Sequence, residues 1–384
     1  MARLGDVFTI SSGGTPNKKE ISYYQNGTIP WVKTGDLKEK YVPAGIECIT
    51  EEGLNNSSAK LFPENTVLVA MYGATIGACS ILPYEAATNQ ACAAFLPCKD
   101  VLPEYLYYFL SSRKDYFVKD GVGGAQPNIS AGYLKNVKFD LVSLGEQQRV
   151  ISGLNEVDNL ISLRKQQLAK LDELVKSRFI EMFGNLVIGD KISENKHKIG
   201  EIASVTKLAG FEFTKYIQYK EQGDIIMLRG LNCKKGHLVL DDIKWIDKET
   251  SDLLPRSKLY YGDILMTYAG TIGDVAMVDV DNKYHLAPNV AKITLTDKMA
   301  YNPVFLIHLF MYTNDYIMTF ASVVAQASIN MEKIRNFEYY FPSATKQNEF
   351  AAFVEQVDKS KFKIQKSLEK LETLKKALMQ KYFG

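Results

Sequence analysis

Two long segments of helical character decide the fold. The first spans residues 144–184 and reads LGEQQRVISGLNEVDNLISLRKQQLAKLDELVKSRFIEMFG; the second spans residues 344–384 and reads ATKQNEFAAFVEQVDKSKFKIQKSLEKLETLKKALMQKYFG. In both, one set of positions recurs every three or four residues, which is the a/d pattern of a coiled coil. These positions are Leu154, Val157, Ile161, Arg164, Leu168, Leu171, Val175, Arg178 and Met182, then Val354, Val357, Lys361, Ile364, Leu368, Leu371, Lys375, Leu378 and Tyr382.

The ends of the first helix carry their own signals. Ser143 followed three residues later by Glu146 is typical of a capping box, and Gly184 is typical of a helix stop. Each helix would therefore hold about 40 residues and measure roughly 60 Å. We interpret the basic residues within the seams as polar seam positions that fix the register of the helix pair. The pattern alone leaves open that each helix instead lies on its own domain.

The segments before the helices form an internal repeat. Residues 4–7, LGDV, return as IGEI at 199–202, and YGATIG at 72–77 returns as YAGTIG at 268–273. From residue 103 onward the spacing settles at 200 residues, so that Ala125-Gln126-x-x-Ile129 matches Ala325-Gln326-x-x-Ile329. The chain is therefore two copies of one unit of 190 to 200 residues, which excludes a solenoid of short repeats.

Each copy begins with a globular segment of mixed character. Short apolar runs bounded by turn residues, such as 29–32, 66–70 and 263–266, predict strands. A proline at the start favours a helix at 103–117 and its repeat at 303–317. We therefore expect an α+β fold with two similar domains, 1–143 and 185–343, separated by an antiparallel two-helix coiled coil. The spacer helices are 144–184 and 344–384, and the repeat implies a pseudo-two-fold axis.

Composition limits the class of protein. The chain has 384 residues, of which 46% are hydrophobic, and a formal net charge of +2. No apolar run approaches the roughly 20 residues of a membrane-spanning helix, and the start lacks the pattern of a secretory signal. The five cysteines form no CxxC pair, so we interpret them as small buried hydrophobes rather than as a zinc site or a disulfide framework. We expect a soluble cytoplasmic protein.

Motifs of catalysis are missing from the sequence. It has no phosphate-binding GxxxxGK[ST] loop, no HExxH, no GxSxG and no GxGxxG after a predicted strand. An acidic run at 241–244 resembles a nuclease cluster only weakly, because the first copy has no equivalent. The four histidines are scattered through the second copy and are interpreted as structural or solvated. We therefore expect a non-catalytic protein without a metal or cofactor of its own.

Two similar domains on a rigid spacer suit a partner with two separated sites, and DNA is such a partner. Glycine-rich blocks with hydroxyl, amide and basic side chains, at 33–36, 72–77 and 123–128, offer backbone N–H groups for phosphates and side chains for base edges. The same glycines would also be explained as turn requirements of a sheet. The residues alone leave these two readings open.

The ordered set of motifs resembles the specificity subunit of type I restriction-modification systems. In the first half, the resemblance rests on Ser12 to Pro16, Tyr23 to Trp31, Tyr72 to Gly77, Thr88 to Gln90, Gln126 to Ser130 and Glu146 to Gln148. In the second half, it rests on Leu228 to Asn232, Tyr268 to Gly273 and Gln326 to Asn330. The second copy lacks the Gly-Gly-Thr-Pro and Pro-Trp signatures, so the two domains should read different DNA sequences.

The resemblance implies a function. Each domain would be a target-recognition domain that reads one half of an asymmetric, interrupted DNA target, and the helices would set the gap. The helices would also dock two modification (methyltransferase) subunits, and restriction (ATPase/nuclease) subunits would complete the system. S-adenosylmethionine and ATP with Mg²⁺ would then be bound by those partners. The alternative is a two-domain scaffold that binds protein and no DNA.

The DNA-binding candidates are polar residues of the repeated blocks. They are Lys18, Lys33, Thr34, Tyr72, Thr75, Gln126 and Asn128 in the first copy and Arg229, Asn232, Tyr268, Thr271, Gln326 and Asn330 in the second. The poorly matched stretches 17–28, 37–60, 207–224 and 232–258 are expected to hold much of the sequence readout. Since the second helix, with nine basic and five acidic residues, carries the excess positive charge, we expect the isolated chain to bind DNA poorly.

Overall fold

The structure is a computed structural model that describes residues 1–121, 128–187, 195–322 and 327–384. The chain divides into two units of different chain make-up. Unit 1 contains Met1–Lys165 together with Lys366–Gly384, and unit 2 contains Gln166–Gln365. Each unit therefore includes one globular domain and a segment of both long helices.

Ten short strands build the sheets of unit 1. Two four-stranded sheets have the orders β2-β9-β6-β7 and β4-β3-β8-β5, and β1 pairs with β10. Among the described strand pairs of unit 1, β3 and β8 run in parallel and the others are antiparallel. The strands are β1 Ala2–Arg3, β2 Ile10–Ser12, β3 Ile29–Val32, β4 Cys48–Ile49, β5 Leu61–Phe62, β6 Val67–Ala70, β7 Cys79–Ile81, β8 Ala86–Thr88, β9 Cys92–Phe95 and β10 Lys138–Phe139.

The helices of unit 1 cover the first of these sheets. Tyr105, Phe109 and Phe139 share the main core with Leu4 and strand β6. All four residues of β6 are buried, since apolar side chains face a core on both sides of the sheet. The helices are α1 Leu4–Val7, α2 Glu51–Asn55, α3 Pro103–Ser112, α4 Lys114–Asp120, α5 Ala131–Asn136 and α6 Leu144–Phe183, which continues into unit 2.

Unit 2 repeats this topology. Its main sheet has the order β12-β20-β17-β18, its second sheet the order β16-β13-β19, and β11 pairs with β21. Again β13 and β19 run in parallel, whereas the hairpin β14-β15 is found in unit 2 alone among the described residues. The strands are β11 Lys196–Lys198, β12 Ala203–Lys207, β13 Ile225–Leu228, β14 Cys233–Lys234, β15 His237–Leu238, β16 Lys244–Ile246, β17 Ile264–Thr267, β18 Val275–Met277, β19 Tyr284–Leu286, β20 Val290–Leu295 and β21 Glu338–Tyr340.

Seven further α-helices are found in the described part of unit 2. They are α7 Ile199–Ile202, α8 Gly210–Tyr216, α9 Lys248–Asp252, α10 Pro303–Tyr312, α11 Asn314–Met318, α12 Met331–Arg335 and α13 Ala344–Phe383, which continues into unit 1. The predicted α+β fold is confirmed. The single helices expected at 103–117 and 303–317 are each broken in two, because Arg113 and Thr313 leave the helical region at φ −92°, ψ 1° and φ −116°, ψ 26°.

The long helices pair antiparallel within each unit. In unit 1 the Lys375 ammonium lies 2.5 Å from Asp158, and Arg164 donates a hydrogen bond of 3.3 Å to Ser367. In unit 2 Lys361 lies 2.5 Å from Asp172. These contacts explain why basic side chains interrupt the apolar seam. Arg178 differs from the other three basic seam residues, because it forms an ion pair of 2.9 Å with Glu181 on its own helix.

The twelve apolar seam residues face inward. Leu154, Val157, Val175, Val354, Val357 and Leu368 are buried, and Ile161, Leu168, Leu171, Ile364, Leu371 and Leu378 are half-buried. The sequence pattern did not identify the aromatic anchors beside them. Phe179 and Phe350 pack with ring centroids 5.3 Å apart in unit 2, and Phe383 joins the core of unit 1.

A glutamine fixes the start of each long helix. The side chain of Gln147 accepts a hydrogen bond of 2.9 Å from Leu102 N and donates to the carbonyls of Asp100 and Val142. Gln347 makes the equivalent bonds to Asn302, Ala300 and Pro342. Both glutamines are buried with all their hydrogen-bonding groups used. The helix is therefore joined to the loop before α3 or α10 in the same way in both units.

The helix ends and cysteines are as follows. Ser143 accepts from Glu146 N at 3.3 Å, and Gly184 has φ 61°, which favours glycine at a helix stop.

All five cysteines are free thiols; Cys79, Cys92 and Cys233 are buried, while Cys48 and Cys98 are half-buried. Burial raises the pKa of the Cys79 thiol to about 12.

Candidate nucleic-acid interface

Three loops of unit 1 meet at one end of its sheets. They follow the carboxyl ends of β3, β8 and β6. Asn89 N donates to Val32 O at 2.9 Å, and Met71 N donates to Ala91 O at 2.8 Å. Ile129 N then donates to Met71 O at 3.0 Å. These backbone bonds place the candidate residues Lys33, Thr34, Tyr72, Thr75 and Asn128 in one cluster of loops.

The Ser12–Pro16 motif packs against the strand ends that carry this cluster of loops. A Cβ on Gly13 would lie 1.9 Å from Thr88 O, so the loop approaches β8 too closely for any side chain. Trp31 donates from its indole nitrogen to Gly14 O at 3.0 Å. Thr15 donates to the side-chain oxygen of Gln90. The motif is therefore explained by packing, and it also brings two polar side chains to the same end of the sheet.

The candidates of unit 1 differ in exposure. Tyr72 is 45% exposed and Asn128 is exposed, whereas Lys33, Thr34 and Thr75 are half-buried. Lys33 forms a 2.5 Å ion pair with Glu47, and this hydrogen bond raises the pKa of Lys33. Its positive charge is thus held next to Trp31, at 5.8 Å from the ring centroid.

Two candidates of the first copy lie apart from this description. Lys18 is exposed, and no hydrogen bond of the described residues joins it to the cluster. Gln126 lies outside the described residues, as does Gln326 in the second copy. Their proposed roles stay predictions.

Unit 2 has an equivalent loop cluster with a groove. Ala287 N donates to Leu228 O at 3.2 Å, and Tyr268 N donates to Asn289 O at 3.0 Å, repeating the bonds of unit 1. The groove between these loops has a volume of about 500 Å³. Its lining includes the predicted residues Arg229 and Thr271. It also includes Phe213, Tyr219, Leu231, Lys234 and Asn289, which were not among the candidates.

The signal for some of these missed residues was present in the sequence. Phe213 and Tyr219 belong to the stretch 207–224, whose lack of a counterpart in the first copy marked it for readout. Leu231 lies between two candidates and is 41% exposed although it is apolar. Lys234 belongs to the stretch 232–258, which was marked for the same reason, whereas Asn289 reaches the groove because β19 pairs with β13 and places the following loop beside it.

Asn232 is a correction to the predicted interface. Its side chain is fully buried, and its amide donates to the carbonyls of Val239 and Asp242 at 2.8 and 2.9 Å. Its side-chain oxygen accepts from Arg229 N at 3.0 Å. Because every polar group of this amide is used within the fold, Asn232 shapes the loop and has no group left to contact DNA.

Arg229 is partly used by the fold. One of its guanidinium nitrogens lies 2.7 Å from Asp242 Oδ1, and the side chain is 21% exposed. Its Nε is buried and has no hydrogen-bond partner in the structure. The guanidinium therefore lies at the groove with one edge paired to an acid and its Nε unpaired.

The two motif tyrosines are not equivalent, contrary to the sequence alignment. Tyr72 forms a bridge with Asn128, whereas in unit 2 the same position is held by Ala269, which pairs with Ser328. The loop after β6 is thus one residue longer than the loop after β17. Adjacent residues of extended chain point to opposite sides. Tyr72 is exposed, while Tyr268 is half-buried and its hydroxyl accepts from Asn289 N at 3.3 Å.

The remaining candidates of unit 2 are exposed. Thr271 lies at the groove, in the loop after β17, and matches Thr75. Asn330 caps α12 by accepting from Lys333 N at 2.8 Å, as Ser130 caps α5. Capping explains why a short polar residue stands at this position. The amide nitrogen of Asn330 takes no part in the cap.

The described residues show no arrangement for metal chemistry and no membrane span. No group of three or more His, Cys, Asp or Glu side chains within them could hold a metal ion. No described helix combines the length and the apolar character needed to cross a membrane. Burial lowers the pKa of His285 and lowers that of His308 to about 4. Both rings hydrogen-bond to backbone carbonyls.

A family model for the type I restriction modification DNA specificity domain matches the chain twice, at residues 1–173 and 194–376. The chain belongs to this family. The two matches coincide with the two copies of the repeat, each including one loop cluster.

Curated relatives carry the same description. The chain is 28% identical over 181 residues to the type I restriction enzyme EcoR124I/EcoR124II specificity subunit of Escherichia coli, covering 46% of this chain and 45% of the relative. It is 29% identical over 248 residues to the MjaIX specificity subunit of Methanocaldococcus jannaschii, covering 63% and 55%. The matches thus span about half the length of these two relatives. A match to the EcoprrI specificity subunit of Escherichia coli is 21% identical and covers 92% of this chain and 86% of the relative.

Solved structures share the fold. A chain from a study of complex assembly and conformational transition of the type I R-M system aligns with a TM-score of 0.63 at 15% identity, covering 100% of this chain and 96% of that one. The S subunit of a type I restriction-modification system from M. genitalium aligns with a TM-score of 0.55, also at 15% identity, covering 100% and 95%. At this identity the likeness concerns the fold.

Proposed function

We propose that this chain is the DNA sequence-specificity subunit of a type I restriction-modification complex. The observation that carries the proposal is the double match of a DNA specificity family to the two repeats. In each repeat, loops from the ends of three strands bring exposed polar and aromatic side chains together. The alternative, a scaffold that binds only protein, is not favoured by this family membership.

The two loop clusters favour two different half-sites. Exposed Tyr72 has no aromatic counterpart in unit 2, and the groove of unit 2 contains Phe213 and Arg229 instead. Side chains that differ in hydrogen bonding and shape select different base edges. The target we infer is therefore asymmetric and bipartite, with one half read by each unit.

The partners follow from this role. We infer that two modification subunits dock on the chain and bind S-adenosylmethionine, and that restriction subunits, where the system has them, bind ATP and Mg²⁺. The chain would contribute the sequence selectivity, and the partner subunits would contribute much of the affinity for DNA, because the excess positive charge of the chain lies on α13 rather than on the domains. Such a complex acts in the cytoplasm, where the DNA is.

Methylation mapping tests the function directly. The full chain is co-expressed with its modification subunit in a host without other methylation, and modified bases are mapped across the genome. We expect one asymmetric motif with an unspecified gap. If methylation requires the subunit but no interrupted motif emerges, the protein-scaffold alternative replaces the proposal.

The helix pair is proposed to set the gap. Deleting 162–168 and 365–371 removes facing heptads and keeps the pairs Lys375–Asp158 and Lys361–Asp172 on either side. Seven residues correspond to about 10 Å of helix, or about three base pairs of DNA at roughly 3.4 Å each. We expect the gap in the methylated motif to shorten by about three base pairs. Duplicating the same heptads should lengthen the gap equally. An unchanged gap in both variants would refute the proposal that the helix pair sets it.

A further inference from the structure

Each unit has a groove between its recognition domain and its long helix. The two grooves are equivalent, because Leu102, Glu104, Gln148 and Ile151 in unit 1 stand 200 residues before Asn302, Val304, Asn348 and Ala351 in unit 2. Their sizes differ. The groove of unit 1 has a volume of about 230 Å³, and that of unit 2 about 690 Å³.

In unit 1 the chain itself supplies a lysine and a tyrosine that bind to Glu104 on the groove wall. The Lys40 ammonium lies 2.5 Å from Glu104 and 2.6 Å from the side-chain oxygen of Asn155. Its charge also faces the ring of Tyr108 at 4.9 Å, and the Tyr41 hydroxyl donates to Glu104 at 2.8 Å. A lysine with a neighbouring aromatic residue is therefore the chemistry that this groove accepts.

In the described part of unit 2, a glycine stands where unit 1 has Lys40. Ile81 N donates to Lys40 O, and Met277 N donates to Gly236 O, so Gly236 stands at the position of Lys40. A side chain there is strained, because φ is +85° and a Cβ would lie 3.1 Å from the Met311 sulfur. Val304 also replaces Glu104. The described part of unit 2 therefore has neither a lysine at the position of Lys40 nor an acid at the position of Glu104, and the lysine that lines its groove is Lys359 of α13.

The open groove of unit 2 nevertheless keeps the features of a binding surface. Val304 and Met277 line it, and Tyr261 at its edge is 57% exposed. Glu355 and Asp358 stand at the positions of Asn155 and Asp158, so that two carboxylates face this space. Each is paired with a lysine of the same helix, Glu355 with Lys359 at 2.7 Å and Asp358 with Lys361 at 3.7 Å. Both carboxylates are partly exposed.

We propose that the groove of unit 2 docks a segment of the modification subunit that presents a lysine or arginine beside an aromatic or aliphatic side chain. The partner's identity rests on the proposed function. The chemistry of the segment rests on unit 1, where Lys40 and Tyr41 bind to Glu104 on the wall of the equivalent groove, and on the negative charge of Glu355 and Asp358. The two modification subunits therefore dock in unequal ways, since the groove of unit 2 is about three times as large as that of unit 1 and has Val304 where unit 1 has the Lys40–Glu104 pair.

The test compares variants of the full chain in binding the purified modification subunit without DNA. Glu355→Lys reverses one charge, and Ala352→Trp fills the groove from an exposed position. The matched controls are Ser152→Trp, at the equivalent exposed position of unit 1, and Glu349→Lys, an exposed charge of α13 that does not line the groove. Native mass spectrometry gives the number of subunits bound, a titration gives the affinities, and thermal melting checks the fold.

We expect each groove variant to weaken one of the two binding events at least tenfold and to leave the other within twofold, while both controls bind like the wild type. Equal affinities in all four variants, an equal loss at both binding events, or no binding by the wild type would overturn the proposal. Since binding is measured without DNA, a complex that assembles but methylates no bipartite motif refutes the proposed function, and the affinities still decide the docking site.

Discussion

Replacing Phe350 with alanine should lower the stability of unit 2 and leave that of unit 1 unchanged. Phe350 is fully buried where α13 meets the core of unit 2. Its ring centroid lies 5.3 Å from that of Phe179, 5.6 Å from that of Phe183 and 5.2 Å from that of His308. Truncating a fully buried phenylalanine costs about 3–5 kcal/mol. At an m-value of about 2 kcal/mol/M in urea, the midpoint of unit 2 falls by roughly 1.5–2.5 M.

The chain provides a separate optical probe for each unit. Its two tryptophans are Trp31, buried in unit 1, and Trp245, half-buried in unit 2. In a Trp31→Phe background, fluorescence reports urea unfolding around Trp245. In a Trp245→Phe background, it reports unfolding around Trp31. The expected shift appears only in the first.

Phe362→Ala is the matched control, because Phe362 lies on the same helix and is 60% exposed. It should change the midpoint reported by Trp245 by less than about 0.5 M, in line with the small effects of most surface substitutions. Equal shifts for Phe350→Ala and Phe362→Ala would refute the claim that the aromatic cluster holds the helix against the core of unit 2.

Two further predictions concern specificity and pH. Lys33→Ala should reduce about tenfold the methylation that depends on the half-site of unit 1, and Arg229→Ala should do the same for the half-site of unit 2. Methylation is measured on oligonucleotides in which one half-site is altered. A general loss of methylation together with a lowered melting temperature would mark the side chain as structural. Burial lowers the pKa of His308 from 6.5 to about 4. As the pH falls, the His308 ring is therefore protonated in the unfolded state at a higher pH than in the folded state. The stability of unit 2 should decrease as the pH drops from 6.5 to 4. His308→Gln should flatten that dependence of the Trp245 midpoint between pH 7 and pH 5, and an unchanged slope would contradict the assignment.

The large-scale organisation could be predicted from the sequence because it depends on periodicity. Apolar residues at three- and four-residue steps, a constant offset of 200 residues and strand-like apolar runs are properties of the chain itself. The break of the predicted helix at Arg113 was not predictable in this way. Nothing in YYFLSSRKDYF interrupts helix propensity, and the turn at Arg113 is seen only in the tertiary fold.

The interface was predicted at the level of blocks and less well at the level of side chains. Tyr72 and Tyr268 begin nearly identical motifs, yet one extra residue in a loop places them on opposite sides of the chain. Asn232 is a residue type that can recognise a base edge, but its side-chain amide donates hydrogen bonds to backbone carbonyls seven and ten residues further along the chain. Which groups remain for a ligand depends on backbone bonds that a motif does not encode.

The division of the chain has a consequence for biosynthesis. Unit 2 is one continuous stretch, whereas unit 1 needs Lys366–Gly384, which are made about 200 residues after Lys165. At roughly 5–20 residues per second, the ribosome takes about 10–40 s to supply them. Phe383 then packs against Tyr105 and Phe109, with ring centroids 5.3 and 6.0 Å apart. The half that is translated first therefore receives the last part of its core at the end of synthesis, and we expect a frameshift near residue 366 to remove Phe383 from the core of unit 1 while every residue of unit 2 is still made.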